Sequence, residues 1–170
     1  LVLAAGSARA DLIQEPKPWV VFASNSEVPQ AVADNFIADR NNELHGITFY
    51  WAYDDNVLPD AGTEAFTFRI LADDAGVPGH VLWEESSTLT PTSTGALVWD
   101  QYDEYRYTYE AQSPYVVTAD AAYWISIFSD DVDGMWEGGY NSVSELQGVA
   151  YSDSIATDAT WHYSLNDDMA

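Results

Sequence analysis

Residues 66–83, FTFRILADDAGVPGHVLW, have the pattern of a β-hairpin. Apolar side chains alternate before the turn, at Phe66, Phe68 and Ile70. The turn itself, Asp-Asp-Ala-Gly-Val-Pro-Gly, combines residues that favour turns, because glycine reaches positive φ, proline fixes φ and aspartate bonds its own backbone. A second alternating run leaves the turn and ends at Trp83. This pattern is typical of an antiparallel sheet.

Three further segments place apolar residues at every second position, at 47–53, 105–109 and 123–127. Such rows indicate strands that are buried on one face or on both. Turn residues separate them at short intervals, and residues 31–47 look like a long connection that crosses between sheets. The sequence therefore predicts an all-β fold, a jelly-roll-like antiparallel β-sandwich of about nine or ten strands with little or no helix.

The composition limits the partners that the chain can bind. The 170 residues carry 28 acidic and five basic side chains, a formal net charge of -23. A field of this sign repels nucleic acids and anionic membranes. There is no cysteine, which excludes disulfides and cysteine-ligated metals. No stretch approaches the roughly 20 apolar residues of a membrane span. We therefore expect no nucleic-acid partner and no membrane insertion.

The first ten residues differ from the rest of the chain. They are small and apolar, and they end in Ala8-Arg9-Ala10, the pattern of a signal-peptide cleavage site. We interpret residues 1–10 as a signal-peptide remnant and residues 11–170 as a single β-sandwich domain. The alternative is an ordinary N-terminal strand. A cleaved signal peptide would place the domain outside the cell.

Four stretches resemble a known group of domains. They are FTFRILADDAGVPG (residues 66–79), YRYTYE (105–110), PYVVTADAAYWISI (114–127) and the final segment 160–170. Over about residues 19–170 the chain resembles secreted bacterial β-sandwich domains of exported proteins that end in a Pro-Glu-Pro type sorting anchor. The 170 residues themselves contain no such anchor. The resemblance implies a secreted, extracellular or cell-surface location linked to exopolysaccharide, and it implies no catalytic residues.

The residues that could carry catalysis are sparse. His45, His80 and His162 lack the spacing of a helical zinc site. Glu84 and Glu85 are neighbours on a predicted strand and point to opposite faces, so they make a poor pair for glycoside hydrolysis. We therefore predict that the domain is not an enzyme, with a hydrolase as a distant third possibility.

Acidic turns make calcium the favoured metal, because Ca²⁺ takes six to eight oxygen ligands. The first candidate is the DDVDG loop at residues 130–134, followed by an acidic residue in MWEGGY, and the second is the turn after residue 72. The alternative is a solvated acidic turn without metal. The candidate ligands for a structural Ca²⁺ are Asp130, Asp131, Asp133, Glu137, Asp73 and Asp74.

Aromatic residues are abundant, with seven tryptophans and eleven tyrosines. Sugar-binding sandwiches present such rings to pyranoses, whereas the alternative is that the rings fill the core. Eight aromatic residues lie near turns or polar neighbours: Trp51, Tyr53, Trp83, Trp99, Tyr102, Trp136, Tyr140 and Trp161. From these we select as a glycan platform Trp136 and Tyr140 of MWEGGY, together with Trp51, Tyr53 and Trp161.

Together these patterns predict a non-enzymatic, acidic, secreted surface or extracellular-matrix domain that binds glycan. The expected partner is a polysaccharide. The runner-up function is a structural subunit of a matrix or filament that assembles with other copies of the surface protein, which makes an oligomer possible.

Overall fold

The computed structural model describes residues 9–13, 21–24, 31–38, 40–53, 62–129, 134–137, 149–152, 156 and 160–164. Within these ranges every regular element is a β-strand and no helix occurs. The prediction of an all-β fold is therefore confirmed for the described residues. Accordingly, none of them belongs to a helix of the length and apolar character needed to cross a membrane.

The strands, in chain order, are β1 (Arg9–Ile13), β2 (Val21–Ser24), β3 (Ala31–Ile37), β4 (Asn42–Tyr53), β5 (Glu64–Asp73), β6 (Pro78–Leu89), β7 (Thr92–Val98), β8 (Tyr102–Val117), β9 (Ala122–Ser129), β10 (Gly134–Glu137), β11 (Val149–Ser152) and β12 (His162–Ser164). The main body consists of the seven strands β3 to β9, fewer than the nine or ten predicted. One reason is that β8 runs for 16 residues through Pro114. The other five strands are only three to five residues long.

The strands form two sheets. The front sheet has the order β2-β10-β4-β8-β7, with β1 beside β4, and the back sheet has the order β12-β11-β3-β9-β5-β6. All pairings among β3 to β9 are antiparallel, whereas β1 pairs with β4 in parallel. The chain crosses between the sheets after β2, β3, β4, β6, β8, β9 and β10.

The core lies between the two sheets and is largely aromatic. Each predicted alternating row contributes to it, because the side chains at 47, 49, 51, 53, 66, 68, 70, 105, 107, 109, 123, 125 and 127 are all buried. Rings from opposite sheets meet directly. Phe49 lies edge-on to Phe66 with centroids 5.0 Å apart, and Phe68 stacks on Tyr109 at 4.1 Å. Two sheets joined by one such core make a β-sandwich.

Residues 31–47 are not the long connection that the sequence suggested. They contain β3 and the first half of β4. The strand was hidden because Ala31, Val32 and Ala33 are small and all three are buried, which gives no alternation of apolar and polar residues. The expected crossing is nevertheless present, since β3 and β4 belong to different sheets.

The N-terminal strand overlaps the end of the predicted signal-peptide remnant. Residues 1–8 lie outside the described ranges. Arg9 and Ala10 begin β1 and pair with Glu43 and Leu44 of β4. The cleavage site after Ala10 stays a prediction.

Candidate functional site

The tip of the β7–β8 hairpin has an unusual backbone. Gln101 N–H donates a hydrogen bond to the carbonyl of Val98 at 3.0 Å, which closes a four-residue turn. Its two central residues have positive φ, 51° at Trp99 and 56° at Asp100. Turns with positive φ at both central positions usually use Asn-Gly or Asp-Gly, because a bulky side chain is strained in the left-handed region. Trp99 therefore occupies a position that local backbone preference does not favour.

The indole at this tip faces solvent. Trp99 is 52% exposed, and its ring lies edge-on to Tyr102 with centroids 6.3 Å apart. We call these two residues the tip pair. Tyr102 packs in turn against buried Ala52 and Val98, which fixes the pair to the outer face of the front sheet. Within the described part of the chain, the other exposed large apolar side chains are aliphatic: Ile37, Leu97 and Val116.

The surroundings of the tip pair are acidic. Asp100 and Asp103 are both exposed, whereas the side chain of Glu104 is buried. Burial and the neighbouring charge of Asp103 both raise the pKa of Tyr105 above its usual value. Arg106 is an exposed base further along β8, opposite Tyr50 of β4. The hairpin tip thus combines an exposed aromatic ring with a negative local field.

β7 forms an edge of the front sheet, and this edge is irregular. The pairing with β8 shifts register between Ser93 and Leu97, and Gly95 has a φ of 76°. Side-chain oxygens accept hydrogen bonds from the backbone N–H groups of this irregular segment. Ser93 Oγ accepts from Gly95 N–H at 3.3 Å, and Thr94 Oγ1 accepts from Ala96 N–H at 3.1 Å. Bulges of this kind twist an edge and hinder the addition of another strand.

Two of the five predicted platform residues are enclosed in the core. Trp51 and Tyr53 are both 0% exposed, and Trp51 packs edge-on against Phe49 and Phe66. Neither ring can stack on a sugar in this structure, which corrects the sequence interpretation. The physical reason is that both belong to the inward-facing row of β4.

The other three platform candidates lie elsewhere. Trp161 is half-buried and packs against the cluster of Ala33, Leu71 and Trp124 on the outer side of the back sheet. Trp136 belongs to β10, where its backbone pairs with Trp51. Tyr140 lies outside the described residues.

The acidic turn after β5 satisfies its own hydrogen bonds. Asp73 Oδ2 accepts from Gly76 N–H at 3.1 Å, and Oδ1 accepts from Trp124 Nε1 at 2.9 Å. Asp74 is exposed and exchanges backbone hydrogen bonds with Val77. Both carboxylate oxygens of Asp73 therefore already accept N–H groups, one from the turn itself and one from the neighbouring strand β9.

The other calcium candidates are Glu137, which belongs to β10, and Asp130, Asp131 and Asp133, which lie outside the described residues. Across the residues that the structure describes, no three or more His, Cys, Asp or Glu side chains are grouped as metal ligands would be. The histidines belong to three different strands. His45 Nε2 lies 3.1 Å from Glu43 Oε2, His80 is exposed on β6 and His162 belongs to β12.

Glu84 and Glu85 point to opposite faces of β6, as predicted. Glu84 accepts a hydrogen bond from Arg69 Nε at 2.5 Å. Glu85 accepts one from the phenol of Tyr109 in the facing sheet. Each carboxylate thus has a structural partner on its own side of the strand.

A polar cluster is enclosed in the aromatic core. Tyr53 donates to the carboxylate of Glu64 and also contacts the phenol oxygen of Tyr107, whose own hydroxyl lies 3.4 Å from Glu64 Oε2. All three residues are at most 1% exposed. Burial, then the charge of Glu64, raises the pKa of Tyr53 well above its usual range. Because the cluster is closed to solvent, a substrate cannot reach it in this structure.

The sequence did not single out the tip pair. Trp99 and Tyr102 stood among eight aromatic residues near turns, but Trp-Asp-Gln contains neither glycine nor proline and was not recognised as a hairpin turn. The usable signal was Asp100, which interrupts two runs of strand-forming residues.

Comparison with known proteins gives a family. Residues 11–167 match the family described as "Domain of unknown function (DUF7901)", and since this covers most of the chain, the chain belongs to that family. Neither the search of curated proteins nor the search of solved structures gave a match.

Proposed function

We propose that this member of the DUF7901 family is a non-enzymatic domain that binds glycan through the tip pair of Trp99 and Tyr102. The observation that carries the proposal is the exposed indole of Trp99 held at a φ of 51°. A non-glycine residue in this region costs on the order of 1–3 kcal/mol, and such strain persists mainly where it serves a function.

The geometry suits a flat apolar ligand face. An indole offers a large contact area with few rotatable bonds, so little conformational entropy is lost when it stacks on a partner. Tyr102 packs on Ala52 and Val98, which anchors the base of the hairpin to the front sheet. A pyranose ring presents just such an apolar face, and its hydroxyl groups remain available for hydrogen bonds to polar neighbours.

The test is tryptophan fluorescence titration with a panel of polysaccharides, followed by the variant Trp99→Asn. Asparagine removes the ring but tolerates positive φ, so the hairpin should keep its fold and its melting temperature. We expect binding to be lost in Trp99→Asn and partly kept in Trp99→Phe. Unchanged binding in Trp99→Asn would contradict the proposal, as would a complete lack of response to the panel.

Self-assembly is the second candidate, and the β7 edge argues against one route to it. The register shift between Ser93 and Leu97 interrupts the regular row of backbone groups that an added strand would need. Light scattering with and without Ca²⁺ tests assembly directly. A monomer under both conditions would rule out the matrix-subunit function at the concentrations used.

Export to the cell surface or matrix, a jelly-roll-like topology and a structural Ca²⁺ complete the proposed function. The topology is supported by nested pairs, since β4 lies beside β8 and β3 beside β9. The Ca²⁺ proposal rests on the carboxylate-rich sequence of residues 130–134. Melting with EDTA and with excess Ca²⁺ tests it, because free metal at about 100 times Kd adds about 2.7 kcal/mol of stability.

A further inference from the structure

We infer that the tip pair prefers glycans that carry protonated amino groups, such as polymers of glucosamine, over neutral and acidic glycans. This inference rests on the proposed function and adds the ligand class. Its basis is the charge around an exposed ring, rather than the ring alone. The relevant residues are Trp99, Asp100 and Asp103.

The aromatic ring itself favours a cation. An ammonium group over the face of an indole is attracted by the ring quadrupole, and tryptophan is the best of the aromatic side chains for this contact. Trp99 is 52% exposed, with Tyr102 at its edge, and so the indole has surface available to a ligand. A neutral sugar would stack on the same ring without this additional attraction.

The charged side chains nearest to Trp99 also favour a cation. Asp100 follows Trp99 directly in the turn, and Asp103 pairs across the hairpin with Leu97. The nearest described base on the same strand is Arg106, which lies further from the tip, opposite Tyr50. Two exposed carboxylates at the tip attract an ammonium group and repel the carboxylate of a uronic acid.

The charge of the whole chain disfavours two other occupants by the same argument. An acidic polysaccharide would approach a protein of net charge -23, and so would a second copy of the chain. A second copy would also bring its own Asp100 and Asp103 towards the tip. Like charges that meet at an interface oppose association, whereas a polycationic glycan is attracted from a distance.

The experiment compares matched oligosaccharides by calorimetry with the full chain at about pH 5.5, where the amino groups of glucosamine oligomers are protonated and aspartate side chains are ionised. Glucosamine oligomers and their N-acetylated counterparts share one backbone and differ in charge, and oligogalacturonate supplies the acidic arm. We expect the glucosamine oligomer to bind about five-fold or more tightly than the acetylated oligomer, with a ratio that falls as salt is added. Asp100→Asn combined with Asp103→Asn should move this ratio towards one.

Trp99→Asn distinguishes binding at the tip pair from nonspecific electrostatic attraction of the oligomer to the acidic chain, because the variant keeps every charge of the chain. Loss of glucosamine binding in Trp99→Asn, with binding kept in Val116→Ala elsewhere on β8, supports the inference. Equal affinity for the two oligomers, lost in Trp99→Asn, would overturn the amino-group preference and leave glycan binding intact. Binding of neither oligomer would overturn the amino-group preference and leave glycan binding to the test with the polysaccharide panel, whereas equal binding by Trp99→Asn would overturn both. Self-association that Trp99→Asn abolishes would assign the tip to a second copy instead.

Discussion

Glu85 on β6 accepts a hydrogen bond from the phenol of Tyr109 on β8, so a carboxylate of the back sheet is hydrogen-bonded to the front sheet. The same carboxylate also accepts the backbone N–H groups of Gln112 and Ser113, at 2.9 and 2.8 Å. Trp83, two residues earlier on β6, donates to the carbonyl of Ser113 at 2.8 Å. These contacts fasten the middle of β8 to the edge of the opposite sheet.

Glu85→Gln should lower the free energy of unfolding by about 1–2 kcal/mol. Glutamine keeps a single carbonyl oxygen where the carboxylate has two, so at least one donor among Tyr109, Gln112 and Ser113 loses its acceptor. Urea denaturation measures the change. Thr88→Ala, at an exposed position of the same strand, serves as the control and should stay within about 0.5 kcal/mol of the parent. Equal values for the two variants would show that the carboxylate does not join the sheets.

The stability of the protein should depend on pH through the ionisation of Glu85. Burial acts to raise the pKa of its carboxyl, but the hydrogen bonds from Tyr109, Gln112 and Ser113 outweigh burial and hold the pKa below its usual 4.5. The contribution of Glu85 is therefore complete above about pH 4.5 and is lost as pH falls through the lower folded value. Melting curves of the parent and Glu85→Gln should converge in acid, and a constant difference down to the lowest pH would contradict this.

Asp34 should produce the opposite trend at higher pH. Asp34 of β3 pairs with Ile125 of β9, and its neighbours two positions away are Val32 of the core and Phe36, which packs against the core. Burial raises the pKa of its carboxyl from 3.8 to about 7, although the backbone N–H of Asn35 lowers it somewhat. The folded protein binds this proton more tightly than the unfolded chain, so stability falls as pH rises from 3.8 towards 7 and stays reduced above it.

Asp34→Asn should therefore stabilise the protein above pH 7 by about 1–2 kcal/mol, because the neutral amide keeps the shape of the carboxyl and avoids the cost of burying its charge. Near pH 4 the variant should match the parent. Thermal melting across this interval measures the effect. A variant that is less stable than the parent at the upper end would show that the charged carboxylate is favourable there.

In the buried cluster of Tyr53, Glu64 and Tyr107, the loss of one hydroxyl group should lower the free energy of unfolding strongly. Tyr53→Phe removes a donor from the carboxylate of Glu64, which is 1% exposed, and should cost about 2–3 kcal/mol. Tyr107→Phe should cost less, because the Tyr107 hydroxyl lies 3.4 Å from the same oxygen. Urea denaturation measures both changes.

A double variant identifies the cause of that cost. The loss of stability in Tyr53→Phe can come from the buried carboxylate of Glu64 that is left without its donor. In that case Glu64→Met should restore part of the stability in the Tyr53→Phe background, since removing both partners of a buried hydrogen bond can be nearly neutral. Additive losses in the double variant would instead assign the cost to packing.

Alternation predicted the core well and the surface poorly. The rows of β4, β5, β8 and β9 were readable because every second residue is large and apolar, and all of them face the core. Alternation alone does not tell which face of a strand meets water, and so Trp51 and Tyr53 looked like surface rings. β3 was missed because it begins with the small residues Ala31, Val32 and Ala33, which are buried on both faces of the strand.

The hairpin tip shows a different limit. Local propensity favours glycine, asparagine or aspartate at positive φ, whereas Trp99 occupies such a position here. A residue that violates local preference cannot be found by reading that preference, and functional sites are where such violations are expected. The three-dimensional structure was needed to bring out the exposure of Trp99 and its contact with Tyr102.

The most direct test of glycan binding at the tip uses the indole N–H signals of the seven tryptophans in a nitrogen-proton correlation spectrum. Trp99→Asn removes one signal and thereby assigns it. On titration with glucosamine oligomers, we predict that the assigned Trp99 signal shifts first and furthest, while the signals of buried Trp51 and Trp124 stay in place. A spectrum in which the Trp99 signal does not move while the oligomer binds would contradict the proposed site.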